Sequence, residues 1–227
     1  MASSRRPAKP LADSTQSDAG RETELRIIGG HFRGRKLRYH GDPVVRPMKH
    51  RVREAIFNLI STESAGHHVI DLFAGTGALG LEALSRGATS ATFIEKHVPT
   101  ARVVEQNLAE LDVIDRVTLR TTSAFLWSKR DLDSVTDGPP RDLPWLVFCS
   151  PPYAFFIERE AEMLDLISRI AAAAPASSTI VIESDQQFDF DGLVGDNRDA
   201  WDLRDYPPAR VGIWRLGAAG TKSEGEA

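Results

Sequence analysis

Cysteine is nearly absent from this chain. The single one among 227 residues, Cys149, excludes an internal disulfide and any cysteine-based zinc cluster. Its place at the end of Trp145-Leu146-Val147-Phe148 marks it as a small buried core residue. No apolar run approaches the length of a membrane span, so a soluble protein is expected. Residues 1–24 are rich in Ser, Ala, Pro, Asp and Arg and lack the apolar centre of a signal peptide. They read as a disordered tail, as do residues 217–227. These absences fit a reducing cytoplasm. Internal repeats are also missing.

Length and composition allow one large α/β domain with small extensions, and a hydrophobic fraction of 41% supports a core. The net charge of −4 is unevenly spread. Between Arg26 and Arg53 stand nine Lys or Arg and one acid, Asp42, so that segment carries +8 and the remainder −12. The basic residues are interleaved with His31, Phe32, Tyr39 and four glycines. Such a block on an acidic body points to a localised polyanion, and the interleaving favours nucleic acid over a merely solvated face.

Periodicity places the elements. Leu25–Ile28 and Lys36–Tyr39 are expected to pair as a hairpin across Gly29-Gly30 and Gly34. Lys49–Ile60 has helical spacing at Val52, Ile56 and Leu59–Ile60, which leaves Arg51 and Arg53 off the stripe and accessible. Strands are expected at 67–73, 91–94, 117–120, 145–149 and 179–182. Helices are expected at 78–86, 98–111 and 156–174, the last burying Met163, Leu164, Ile167 and Ile170. Residues 131–143 form a loop, and 201–203 with 211–216 a closing antiparallel pair. The alternation implies a doubly wound, mostly parallel sheet.

The densest motif is Asp71-Leu72-Phe73-Ala74-Gly75-Thr76-Gly77-Ala78-Leu79-Gly80. An apolar strand ends in an acid, a tight glycine turn follows, and a helix begins. Gly75 and Gly77 let a ligand lie against bare backbone. Glu95 closes the next apolar run, where an acid reaches ribose hydroxyls. Asp71, Glu95, Ser123 and Ser150 all fall at strand ends, the ligand edge of an open α/β sheet; Ser123 reads equally well as a helix N-cap. A Walker loop is excluded because Ala78 follows Gly77. The glycines alone do not separate NAD from S-adenosylmethionine. The turn Ser150-Pro151-Pro152-Tyr153 does. Its prolines fix the backbone and hold Ser150 extended, while the Tyr153 ring can stack on a flat base. An acceptor beside a stacking ring suits a planar amine held in line with a methyl donor. An NAD-dependent oxidoreductase would need a hydride-transfer acid or base, and none is placed for it.

These residues together resemble the RsmD family of bacterial 16S rRNA (guanine-N2) methyltransferases. The resemblance runs from about Leu25 to Leu216. It is carried by Arg26-Ile27-Ile28-Gly29-Gly30-x-Phe32-Arg33-Gly34-Arg35-Lys36-Leu37, by Arg46-Pro47, by Arg51–Asn58, by Asp71–Ala83 and by Phe93-Ile94-Glu95-Lys96. Three positions depart from the family's habit. Ser150 stands where Asp or Asn usually precedes Pro-Pro-Tyr/Phe, and Met48 and His50 replace a Thr and an acid. A hydroxyl accepts more weakly than a carboxylate or amide, yet Ser-Pro-Pro-Tyr is also the form of some DNA cytosine-N4 methyltransferases.

The resemblance implies a Rossmann-like class I methyltransferase with a seven-stranded sheet. It also implies an N-terminal hairpin extension gripping rRNA over residues 25–60 and a catalytic domain over 61–216. The cofactor would be S-adenosylmethionine, held by Asp71, Phe73, Ala74, Gly75, Thr76, Gly77, Glu95, Lys96, Ser123, Ala124 and Ser150. Ser150, Pro151, Pro152 and Tyr153 would present the amine. Arg33, Arg35, Lys36, Arg38, Arg46, Arg51 and Arg53 would bind phosphates of 16S rRNA in the small ribosomal subunit. The chain would act as a monomer, with no metal. Two alternatives are a catalytically weakened or inactive ribosome-assembly protein that keeps S-adenosylmethionine and rRNA binding, and a methyltransferase for another exocyclic amine in nucleic acid.

Overall fold

The computed structural model describes residues 25–39, 48–190, 193 and 200–217. Its centre is a seven-stranded sheet. Strands β1 (His68–Asp71), β2 (Ser90–Ile94), β3 (Val117–Arg120), β4 (Trp145–Cys149) and β5 (Thr179–Asp185) run parallel. β6 (Trp201–Tyr206) and β7 (Ala209–Arg215) join antiparallel, giving the order β3-β2-β1-β4-β5-β7-β6. Helices α1 (His50–Leu59), α2 (Ala78–Ser85), α3 (Val98–Glu110), α4 (Ala124–Arg130), α5 (Phe155–Glu158) and α6 (Glu160–Ala173) complete the framework.

Strand periodicity divides the core into two layers. Val69, Phe93, Leu146 and Phe148 face one side with Leu81, Val104 and Ile56. Their neighbours Ile70, Ile94, Val147 and Cys149 face the other with Trp127, Met163 and Ile167. Cys149 is buried, as expected.

Several elements differ from expectation. α4 was not foreseen in residues 124–130. The long helix from 156 breaks at Arg159 into α5 and α6. Leu166, not Leu164, is the fourth apolar residue that α6 buries. The hairpin holds a single antiparallel bridge, Arg26↔Lys36, rather than two strands.

That hairpin is fixed by α2 more than by its own ladder. Every residue of α2 is buried, including Glu82 at 0% exposure. The Glu82 carboxylate accepts the backbone N–H groups of Ile28 and Gly29, both at 2.7 Å, and Arg86 Nε at 2.9 Å. Ser85 Oγ donates to the Gly29 carbonyl and accepts the Phe32 N–H, while the Ser85 carbonyl accepts His31 N–H. The backbone comes so close that a Cβ on Gly30 would lie 1.9 Å from that carbonyl oxygen.

Arg53 corrects an expectation. It is 1% exposed, and its Nη2 donates to the Arg26 carbonyl at 2.6 Å. Burial lowers its pKa, and Glu82 partly offsets this. Arg53 therefore serves the docking of the hairpin and has no accessible face for RNA. It lies on the buried side because Val52, Ile56 and Phe57, its neighbours along the helix, are all buried.

Replacing Glu82 with Ala would strand two part-buried N–H groups and the Arg86 guanidinium. The expected loss is about 3 kcal/mol of unfolding free energy in urea denaturation. Faster hydrogen exchange at Ile28 and Gly29 should accompany it. A loss below about 1 kcal/mol would contradict the role given to this carboxylate.

Candidate active site

A cavity of about 690 Å³ opens at the carboxyl ends of β1, β2, β4 and β5. This is where the strand order reverses, since β1 has β2 on one side and β4 on the other. Its volume suits a nucleoside-sized ligand with room beside it. Of the expected site residues, Phe73, Gly75, Glu95, Lys96, Ser123, Ala124, Ser150, Pro151, Pro152 and Tyr153 all line it.

The glycine turn shapes the first wall. Gly75 and Gly77 have φ of 53° and 78°, a region that side chains with a Cβ rarely enter. Gly80 serves packing: a Cβ there would lie 2.3 Å from the Phe93 ring. Glu95, just past β2, accepts Gly75 N–H at 2.9 Å and His97 N–H at 2.8 Å. A carboxylate has about four lone-pair sites, so two backbone bonds fix the group while leaving capacity for hydroxyl donors in the cavity. Phe73, Phe125 and Phe155 surround one another with centroids 5.9 to 6.2 Å apart. Arg159 and Lys96 lie over these rings, 4.1 Å from the Phe125 centroid and 5.3 Å from that of Phe155. An apolar slot with cations at its rim accepts a purine ring and tolerates a nearby anion.

The opposite wall is the Ser150–Tyr153 turn. Both hydroxyls donate to one carboxylate, Glu183 near the end of β5: Ser150 Oγ to Oε2, and Tyr153 Oη to Oε1 at 2.7 Å. Burial first, and then the neighbouring Glu183 charge, hold the Tyr153 phenol well above its usual range, so it stays a donor. Glu183 escaped the sequence reading because β5 was expected to end at Ile182. Pairing with β7 carries the strand on to Asp185, with Glu183 opposite Val211.

Other expected residues lie elsewhere. Asp71 ends β1 beneath the turn, 1% exposed, and accepts Gly80 N–H at 3.1 Å. It ties strand to helix and is absent from the cavity wall, as are Ala74, Thr76 and Gly77. Ser123 stands at the N-cap of α4 without a side-chain cap bond. Arg33, Arg35, Lys36 and Arg38 are exposed on the hairpin; Arg38 pairs with Glu110, and Arg35 donates to the Glu110 carbonyl. Arg51 is exposed and donates to the Pro207 carbonyl. Arg46 lies outside the described residues. Among the described residues no helix is long and apolar enough to cross a membrane.

A solved structure of the Escherichia coli protein yhhF matches with a TM-score of 0.66 at 29% identity, covering 86% of this chain and 99% of that one. An RNA methyltransferase from Salinibacter ruber, solved with S-adenosyl-L-homocysteine, matches with a TM-score of 0.53 over 80% of this chain and all of that one. At 17% identity that likeness is one of fold alone. The fold is thus the Rossmann-like one of class I methyltransferases. A family model described as Conserved hypothetical protein 95 matches residues 25–196, and the chain belongs to that family. Ribosomal RNA small subunit methyltransferase D of Escherichia coli K12 is 40% identical over 131 residues, which are 57% of this chain and 61% of that protein's length. The protein of the same name in Haemophilus influenzae is 35% identical over 140 residues, 61% of this chain and 68% of that one. The family expectation drawn from the motifs is met.

Asp71 generates a pH prediction. Burial, with a smaller push from Glu95, raises its pKa from 3.8 to about 7 against the Gly80 and Phe73 N–H bonds. The folded chain therefore holds a proton that the unfolded chain releases between these values. Stability from this group is full below about pH 4 and is lost as pH rises through about 7. Asp71→Asn keeps an acceptor for Gly80 and removes the titration. At pH 8 it should gain on the order of 3 kcal/mol over the unmodified chain, with no gain at pH 4, read by urea denaturation. Equal effects at both pH values would contradict a buried, raised carboxyl.

Proposed function

We propose that this chain transfers a methyl group to the exocyclic N2 amine of a guanine in 16S rRNA of the small ribosomal subunit, in the cytoplasm. The observation that carries the reading is one cavity with two unlike walls. Gly75 and the fixed carboxylate of Glu95 form a nucleoside-binding side, and Ser150-Pro-Pro-Tyr153 forms an amine-binding side facing it. The names of the E. coli and H. influenzae relatives support an rRNA substrate.

S-adenosylmethionine fits the first wall by chemistry: hydroxyls for Glu95, an apolar slot by Ile94 and Phe125 for a purine, and open backbone at Gly75. When bound it supplies an electrophilic methyl. The protein's own residues do the rest by positioning, worth several kcal/mol when two reactants are held in line. Tyr153 offers a ring for the base. Ser150 Oγ accepts an amine hydrogen and so aims the nitrogen lone pair. A guanine in folded RNA must leave its stack to enter. The exposed hairpin cations Arg33, Arg35 and Lys36 meet phosphates, and their contribution weakens with salt.

Two measurements test this. Labelled methyl from S-adenosylmethionine should appear as N2-methylguanosine in small subunits taken from cells lacking this gene. Label on another nucleoside would move the substrate, and none at all would refute the activity. Arg33→Ala combined with Arg35→Ala should weaken subunit binding roughly tenfold at low salt and lower the salt slope by about two. Cofactor affinity should be unchanged; a joint loss of both would contradict the separation of the two surfaces.

A further inference from the structure

The Ser150 hydroxyl can both donate and accept, and so can that of Tyr153. An amine presents only hydrogens at its edge, so a hydroxyl that turned its own hydrogen into the cavity would repel it. The structure removes that freedom. Ser150 follows β4 and Glu183 lies on the adjacent β5, one residue beyond the pair Cys149↔Ile182. Each Glu183 oxygen takes one hydroxyl hydrogen, Ser150's on Oε2 and Tyr153's on Oε1. Glu183 is 8% exposed and also borders the cavity. A carboxylate is an acceptor only, so both hydrogens point toward it.

We propose that Glu183 is a positioning residue that locks the hydroxyls of Ser150 and Tyr153 as acceptors, so that the site selects a nucleobase edge bearing an amine. The inference rests on the methyl-transfer reading above and deepens it. Ser150 then presents lone pairs alone, as an amide or carboxylate oxygen would. A base with a carbonyl oxygen at that edge meets acceptor against acceptor and is rejected, since a buried polar group left unpaired forfeits more than a made bond contributes. Charge on the acceptor's partner also strengthens the arrangement. Nothing else in the cavity wall is required to fix the direction of the hydroxyls.

The test is a double-mutant cycle on the full chain, with small subunits lacking the modification as substrate. Glu183→Gln can donate to Ser150 and so frees its hydrogen. Its kcat should fall about 30-fold or more. In a Ser150→Asn background, where an amide oxygen accepts directly, the further effect of Glu183→Gln should shrink to about threefold or less, whatever Ser150→Asn does alone. Two readouts besides activity should change by less than about threefold on going from Glu183 to Glu183→Gln within each background. These are S-adenosylmethionine affinity by calorimetry and subunit affinity by filter binding with S-adenosylhomocysteine present. Glu183→Asp keeps the charge but withdraws it by one methylene, and it should show the same dependence on background if Glu183→Gln does not fold. Equal kcat losses in both backgrounds, or parallel losses of binding, would make Glu183 a structural residue and overturn the inference while leaving the activity standing. No transfer by the unmodified chain would remove the proposed function and this inference with it.

Discussion

The reversal of strand order at β1 is the constraint on which the site depends. Chain direction leads from β1 outward to β2 and β3, then returns across β1 to β4 and β5. The loops after β1 and β4 must therefore part, and a crevice opens between them without any loop having to be hollowed out. Everything with chemistry sits at that edge. The glycine turn follows β1, Glu95 follows β2, Ser150 follows β4, and Glu183 lies near the end of β5. Asp71 holds the opening from below by joining the last residue of β1 to Gly80 of α2. Phe93 packs where Gly80 has no side chain, which sets the distance between helix and strand.

The same helix α2 connects this edge to the hairpin. Glu82 and Ser85 bind hairpin backbone from a fully buried position. Asn107 of α3 makes a second connection. It accepts Arg38 N–H and donates to the carbonyls of Arg38 and Thr76. One amide thus touches the basic hairpin and the glycine turn together. The cationic surface is consequently held in register with the cavity, a requirement for any protein that must grip a polymer at one place and act on it at another.

Much of this framework was legible in the chain. The strand Trp145–Cys149 falls where its apolar run begins and ends, because all five residues are buried and carry a continuous signal; the edge strand Val117–Arg120 is only half-buried and falls where Val117 and Leu119 alternate with polar residues. The glycine turn and Glu95 were legible because their geometry is local. What escaped was set by distant partners. Arg53 reads as a surface cation until the buried carboxylate of Glu82 and the Arg26 carbonyl are brought to it by folding. Glu183 reads as the residue after a strand because β7, which prolongs that strand, lies almost thirty residues downstream. α4 is too short to show a period and leaves Leu126 exposed, so only its packing reveals it. Asp71 was read as a ligand contact because an acid at a strand end resembles one; its full burial assigns it to the scaffold.

We propose that one wall of the cavity, through Gly75 and Glu95, is built for a nucleoside carrying a methylsulfonium group. Calorimetric titration of the intact chain with S-adenosylmethionine and, separately, with NAD tests it most directly. The expected result is saturable binding of S-adenosylmethionine that weakens by roughly tenfold or more in Glu95→Ala, because hydrogen bonds to a charged acceptor are lost, and no measurable heat with NAD. Binding of NAD, or S-adenosylmethionine affinity indifferent to Glu95, would contradict it.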